Sequence, residues 1–532
     1  MAQKKKQTEQ SYWQLRNIAA EKRVNDGAKA LEEKVATAYR QAQSYLTKQA
    51  RKLFSRAQQR TGLDEKEAKR LLNDTVQPAE LVELKSLSKQ INNPVLQKEA
   101  QKKLTGLAFK ERITRAEDLK AKSFLVSKQI ANVQLDKSTD FYIDTIQDSY
   151  NEATAESIIR KAQQNAKNGV VIEVWNKKDY QFNELSTDYT KNILDSHWLG
   201  SNYSERIWSD TEALAKRLEQ LFTVESMTGM SEFEMAKTIA SEFDRSIGVA
   251  KRLIRTEANY MANQAKLKAW QDRGVEQYML VAVLDLRTSK ICQEKDHKIY
   301  LVSEAVVNGK EGTYPPFHPW CRTIAVAYFG KRTLSGTRVA NDPITGKTIT
   351  IKQQETYDEW MKKLKGKYSD KEIELQKKKV INLAKDNSSY KELKSVLGQK
   401  NSPSSLDKYQ EIKYNDGQEW NKLKDNYFVK SRLADRRYSP KINPEKQAPH
   451  MEATRTTGKS YFYDDIDVQQ LLNKHAGTGE VEKMLNGRRT TKEMVYLDKI
   501  IGVDGRTGDE VKGIKIHHSK KRTHIVPWRG DH

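Results

Sequence analysis

The chain reads as a multidomain protein. Its N-terminal two-thirds are mainly α around a small α+β core, and a small α+β domain closes it. Three observations predict this. Apolar residues recur at helical spacing over long stretches where proline and glycine are scarce. A strand-like apolar run, Glu276–Leu286, then leads into a loop-rich stretch that holds the only two cysteines, Cys292 and Cys321. The last ninety or so residues switch to short β-like segments with Gly-rich turns.

At 532 residues the chain has room for about three domains. A net charge of +23, with 31% of residues charged, favours an anionic partner, nucleic acid first among them. The excess is spread along helices rather than gathered in one tail, which also suits a plain solvated helical surface. No apolar run reaches the length of a membrane span. The segment Met1–Trp13 is basic but lacks the apolar stretch of a signal peptide. The expectation is a chain made and kept in a reducing cytoplasm, leaving the cell only inside something else.

In chain order, residues 1–125 read as a basic helical region. Leu31, Val35, Ala38, Ala42 and Tyr45 form one apolar stripe. Asp64 with Glu67 resembles a capping box, and Asn93-Pro94 marks a break. Between Val126 and Asn202 the pattern is mixed, with Val170–Trp175 a short strand candidate. Ser231 and Glu234 cap a helix whose face is Phe233, Ala236, Ile239, Ala240 and Phe243. Ser246 then caps a further helix that carries Arg255, Thr256 and Glu257 and ends near Gly274. Arg255 and Glu257 are two apart, face different ways, and are expected to bond the following strand. Residues 336–440 are rich in Lys, Asp, Ser, Asn and Gln and read as a polar connector with helices.

Each cysteine has a histidine nearby: Cys292 with His297, and His318 with Cys321. Thiolate and neutral imidazole are donors suited to Zn²⁺, and two such pairs would complete a tetrahedral shell. The spacings are only loosely zinc-like. A buried apolar Cys292, a His318 fixed in a rigid proline turn, or a disulfide would use the same residues.

Six of the nine histidines fall in the tail: His450, His475, His517, His518, His524 and His532. Paired imidazoles can act as general base and general acid near neutrality. Ser519, Lys520, Lys521 and Arg522 beside them offer hydroxyl and cationic groups for a phosphodiester. On a strand, His517 and Ser519 would share one face, and His518 and Lys520 the other. A helix over 467–475 and strands within MVYLDKIIGV, GIKIHHS and THIVPW complete the unit. The chemistry this favours is metal-free RNA cleavage, requiring no cofactor.

Two resemblances sharpen these expectations. RTE on a helix, LDxRTSxxC (Leu284–Cys292) and PPxHPxCR (Pro315–Arg322) resemble the Mu F-like head morphogenesis family, the minor head proteins of tailed phages. His197–Trp208 and Gly229–Phe243 are similar to it as well. Many members carry CxxC and CRC where this chain has Ser289 and Thr323, so two potential ligands are missing. The resemblance implies a head morphogenesis domain over 126–335, portal, capsid or scaffold proteins as partners, and DNA near the basic helices. It also implies a place inside the virion head near the portal.

KxxPHMxxT, LLxKxAGTG, KExVxxDKIIG and KIHHSKKxTHIVP, in that order over about 443–528, resemble polymorphic toxin type 50. This is a ribonuclease family of the barnase–EndoU–colicin–RelE fold group. It implies a ribonuclease domain over 441–532, RNA as substrate and an immunity protein as partner. The family has a tyrosine where this chain has His518. Carried over by position, the site residues are His450, Glu493, His517, Ser519, Lys520 and His524, with His517 and His524 as acid–base partners and Lys520 on the phosphate. The competing expectation is a bacterial polymorphic toxin whose N-terminal region is a delivery scaffold.

Overall fold

Long helices organise the first part of the chain, as a computed structural model shows for residues 9–57, 62–167, 185–334 and 337–530. The strand expected over Val170–Trp175 lies outside the described residues. The chain divides into two units, Met1–Lys367 and Tyr368–His532. In the first, α1 (Glu9–Phe54), α2 (Glu65–Asn73), α3 (Pro78–Lys89), α4 (Pro94–Ala108) and α5 (Arg115–Lys167) follow in order. Then come α6 (Thr187–Leu194), α7 (Tyr203–Leu221) and α8 (Glu232–Arg273). The buried stripe of α1 runs through Leu31, Val35, Tyr39, Ala42 and Leu46, so Tyr39 and Leu46 take places expected of Ala38 and Tyr45.

The mixed pattern beyond Val126 conceals one helix. Ser123, Ser127, Thr145 and Ser157 of α5 are buried and donate their hydroxyls to the carbonyl four residues back. Small self-satisfied polar residues let neighbours close in on several sides, so no single apolar stripe marks the helix.

Ser231 and Glu234 form the expected capping box, but α8 runs unbroken to Gly274. Ser246 caps nothing. It is buried mid-helix, and its hydroxyl accepts from Arg217 Nη2 at 3.1 Å. Ile239 and Phe243 are buried as expected, but Phe233 stays outside (62% exposed) and Met235 is buried in its place.

The partners of Arg255 and Glu257 are not on the following strand. Arg255 bonds Glu32 and Asn25 of α1. Glu257, fully buried, accepts from Trp198 Nε1 at 3.0 Å and pairs with Arg206. The 42-residue helix carries that turn back to the helices rather than to the sheet.

After Gly274 the chain forms β1 (Gln277–Val281), α9 (Lys290–Lys295), β2 (Ile299–Leu301) and β3 (Ile324–Ala327). The strands order β2-β1-β3, all antiparallel. Asn259 and Asn263 of α8 hold its edge, donating to the Thr323 carbonyl at 3.2 Å and accepting from the Ala325 amide at 3.3 Å. A hairpin, β4 (Thr337–Asn341) and β5 (Thr348–Lys352), and α10 (Tyr357–Lys367) complete this unit.

The second unit opens with α11 (Asp370–Ile381), α12 (Leu383–Leu397), α13 (Leu406–Asn415) and α14 (Gly417–Ala434), around Tyr390, Leu393, Leu397, Tyr409 and Leu423. Residues 336–440 are therefore shared between the two units. Next come β6 (Tyr461–Phe462), α15 (Val468–His475), β7 (Glu480–Lys483), β8 (Arg489–Tyr496), β9 (Gly502–Val503), β10 (Glu510–Val511), β11 (Gly513–His517) and β12 (His524–Trp528). The four-stranded sheet has the order β12-β11-β8-β7. Its inner face, Val495, Ile514, Ile516 and Ile525, shares a core with Leu471 and Leu472 of α15. Each fully buried aliphatic side chain contributes about 1.5–3 kcal/mol. A one-residue slip would carry the whole set to solvent, so the register is fixed.

Candidate functional site

The sheet register builds the site in the second unit. His517 of β11 lies opposite His524 of β12 and Lys492 of β8. Directly opposed residues share a face, and it is the face turned away from the isoleucine core. The His517 and His524 rings stack at 4.7 Å between centroids, and His450 stacks on His524 at 6.0 Å. His450 reaches the stack from a one-turn 3₁₀ helix, Ala448–His450. Its Nδ1 donates to the Ser460 carbonyl at 2.7 Å, which leaves Nε2 with its lone pair.

Charge and burial act together on these rings. Burial, then His524, Lys492, Lys515 and His450, push His517 down to about 4. Burial also lowers His524 against the pull of the Arg522 carbonyl, and lowers His450 against its bond to Ser460. His517 is therefore neutral at pH 7, and close cationic neighbours disfavour simultaneous protonation of the stack.

Glu493 is placed elsewhere. It is adjacent to Lys492 in sequence and so faces the core, fully buried. Its carboxylate accepts from the amides of Gly477, Thr478 and Gly479 at 2.8–3.0 Å and from His518 Nε2 at 2.8 Å. The approach needs glycine at 479, where a Cβ would lie 2.1 Å from the Met494 carbonyl oxygen. His518, buried, stacks on Tyr438 at 4.7 Å and 8°. Glu493 and His518 thus hold the AGTG turn against the sheet.

Ser519 and Lys520 lie past the end of β11, in the turn to β12. The strand stops at His517, so strand alternation does not carry Ser519 to the face of His517. The Ser519 hydroxyl accepts from the Lys521 and Arg522 amides at 3.4 and 3.3 Å and shapes the turn. Lys520 is exposed there. Three residues of the open face escaped sequence reasoning: Lys492, Lys515 and Glu482. Glu482 Oε2 is 3.2 Å from Lys492 Nζ and Oε1 is 3.6 Å from Lys515 Nζ, fixing both cations beside the imidazoles. Alternation through β8 and β11 was the signal, usable only once the register was known.

In the first unit the cysteines converge. Cys292 Sγ is 3.8 Å from Cys321 Sγ and 3.1 Å from His318 Nε2, and Ser289 Oγ is 2.8 Å from the same nitrogen. Ser289 N-caps α9, which places Cys292 one turn along it. His318 Nδ1 donates to the Pro319 carbonyl at 2.7 Å, so Nε2 turns its lone pair into the cluster. That carbonyl-anchored tautomer is the one a metal-ligating histidine takes. The hydrogen bond between the two thiols, first among the causes, lowers Cys292 against its burial and raises Cys321.

Cys292, His318 and Cys321 offer donor atoms all within 4.8 Å of one another, beside a cavity of about 20 Å³. Two thiolates on one tetrahedral zinc with bonds of ~2.3 Å also lie ~3.8 Å apart, so the residues fit the ion. His297 does not join them. Its Nε2 bonds the Gln353 carbonyl at 2.7 Å, and its Nδ1 lies 3.3 Å from Asp296, which also pairs with Arg338. It follows the last turn of α9 and faces the β4–β5 hairpin instead of the thiols.

Set beside known families, residues 216–326 match the family model for Phage Mu protein F like protein, and residues 442–527 match that for Bacterial toxin 50. No curated protein matches the chain. A phage-head-type segment and a toxin-type segment therefore share one polypeptide. No helix among the described residues is long and apolar enough to cross a membrane.

Proposed function

We propose that this chain is a minor head protein of a tailed phage, acting near the portal in assembly or genome ejection, with a C-terminal metal-independent ribonuclease. The observation that carries the nuclease reading is the stack of His450, His524 and His517 on a lysine-bearing open face. A neutral His517 takes the proton from a ribose 2′-hydroxyl. The 2′-oxygen bonds to phosphorus as the bond from phosphorus to the 5′-oxygen breaks. His524, its proton affinity raised by the phosphate anion beside it, gives its proton to that leaving oxygen. Lys492, on the same rung as His517, neutralises the phosphorane charge. The products are a 2′,3′-cyclic phosphate end and a 5′-hydroxyl end.

The test is the full chain incubated with total RNA in EDTA. Cleavage that disappears in His517→Ala supports the site, and cleavage unchanged in that variant removes it. Inert wild-type protein removes the nuclease reading itself. For the head role, mass spectrometry and electron microscopy of purified particles should find the chain at low copy in the head, and its absence from mature virions sinks that role.

The cluster in the first unit fits structural zinc held by Cys292, His318 and Cys321, with Ser289 the nearest further donor. Bound there, the ion would supply a cross-link between α9 and the loop leading to β3, and no chemistry.

A further inference from the structure

The open face of the sheet continues beyond the imidazoles. From the register, three rungs cross it: Lys492, His517 and His524; then Met494, Lys515 and Val526; then Tyr496, Gly513 and Trp528. Two rungs amount to four residues along β11, or ~13–14 Å. The far rung is aromatic. The rings of Tyr496 and Trp528 meet at 5.1 Å and 48°, with Tyr496 65% exposed. They meet because Gly513 lies between them without a side chain. A Cβ there would come within 2.5 Å of the Trp528 carbonyl oxygen and 3.2 Å of its ring. Lys515 joins the two ends: its Nζ is 5.5 Å from the Trp528 ring centroid and 3.6 Å from Glu482.

Resting on the nuclease reading, we infer that Tyr496 and Trp528 form a nucleobase-stacking subsite two steps from the scissile phosphodiester. Single-stranded RNA then lies along β11, with Lys515 on an intervening phosphate. Every base presents a π face, so an aromatic rung beside a lysine rung holds single strands with little sequence preference. Duplex RNA keeps its bases stacked within the helix and does not offer them to such a rung. The enzyme would then favour unpaired RNA, and its KM would fall when the substrate reaches the third rung.

The test uses the full chain and short 2′-O-methyl oligonucleotides, which cannot undergo the cleavage, with a base or an abasic site at each position in turn on either side of the central phosphodiester. Wild-type protein should bind about tenfold tighter with a base two steps out on one side. Tyr496→Ala and Trp528→Ala should lose that discrimination, and Trp528→Phe should keep it. Tyr496 is exposed enough that its loss leaves folding intact. Equal binding of base and abasic strands by the wild type overturns the inference, as does discrimination that survives Tyr496→Ala and Trp528→Ala. Cleavage of the matching ribo-oligonucleotide by wild type and by His517→Ala reads the nuclease proposal separately.

Discussion

The two histidine clusters of this chain use similar side chains toward opposite ends. Around Cys292 the donors converge on one point, with both thiols buried and His318 anchored through its Nδ1 to a carbonyl. On the C-terminal sheet the rings lie in a row, half open to solvent, and His450 and His524 turn only one ring nitrogen toward a carbonyl. Convergence with little solvent favours a bound ion and a cross-link. A row of neutral rings beside lysines favours proton transfer to a ligand that arrives from outside. Residue type alone therefore says little about role. Solvent access and the partner of the second ring nitrogen separate the two.

The largest expected effect breaks the row. His517→Ala should lower kcat/KM for RNA by ~10²–10⁴, while the urea midpoint of the C-terminal unit moves little. A variant that keeps its rate would make this row as structural as the first cluster. Next comes Glu493→Ala, which leaves three amides and His518 facing a void. It should destabilise the C-terminal unit by about 3–5 kcal/mol, seen as an early unfolding transition of the full chain. Stability close to wild type would contradict a clasp of the turn by Glu493.

Cys292→Ser should reduce bound zinc, measured by elemental analysis of protein purified with the metal, and lower the melting temperature of the first unit only. Equal zinc in variant and wild type would remove the ion from this cluster. A smaller effect follows from protonation. His517 is depressed from about 6.5 to about 4 in the folded chain. Between those values the unfolded chain binds more protons, so stability rises with pH there, is fully present above about 6.5, and falls progressively toward pH 4. Urea titrations at pH 7.5, 6 and 4.5 should show the decline, flatter in His517→Ala. The smallest effect is that of Lys520→Ala, which at an exposed turn should change KM no more than two- or threefold. A larger loss would return that lysine to the phosphate.

Much of the helical layout was legible. The N-cap at Asp64, the capping box at Ser231, the break at Asn93-Pro94 and the end at Gly274 are local chemistry, and they hold. The continuity of α5 was not legible, because its buried serines and threonines look solvent-facing until their hydroxyls are seen bonded within the helix. His517, His524 and His450 were legible by density and resemblance. Glu493, Ser519 and Lys520 were grouped with them by the resemblance, and register plus the end of β11 separated them. His297 was joined to Cys292 by nearness in sequence and parted from it where α9 stops.

By itself the sequence determined the division into helical and α+β parts, the cysteine–histidine pairing region and the histidine-rich tail. These follow from composition, spacing and short-range backbone chemistry. Only the tertiary structure decided which neighbours cooperate: which of two adjacent residues, Lys492 or Glu493, faces the imidazoles, and which histidine completes the thiol cluster. Strand alternation sends adjacent residues to opposite faces, and which face meets the core is decided by pairing with strands distant in the chain.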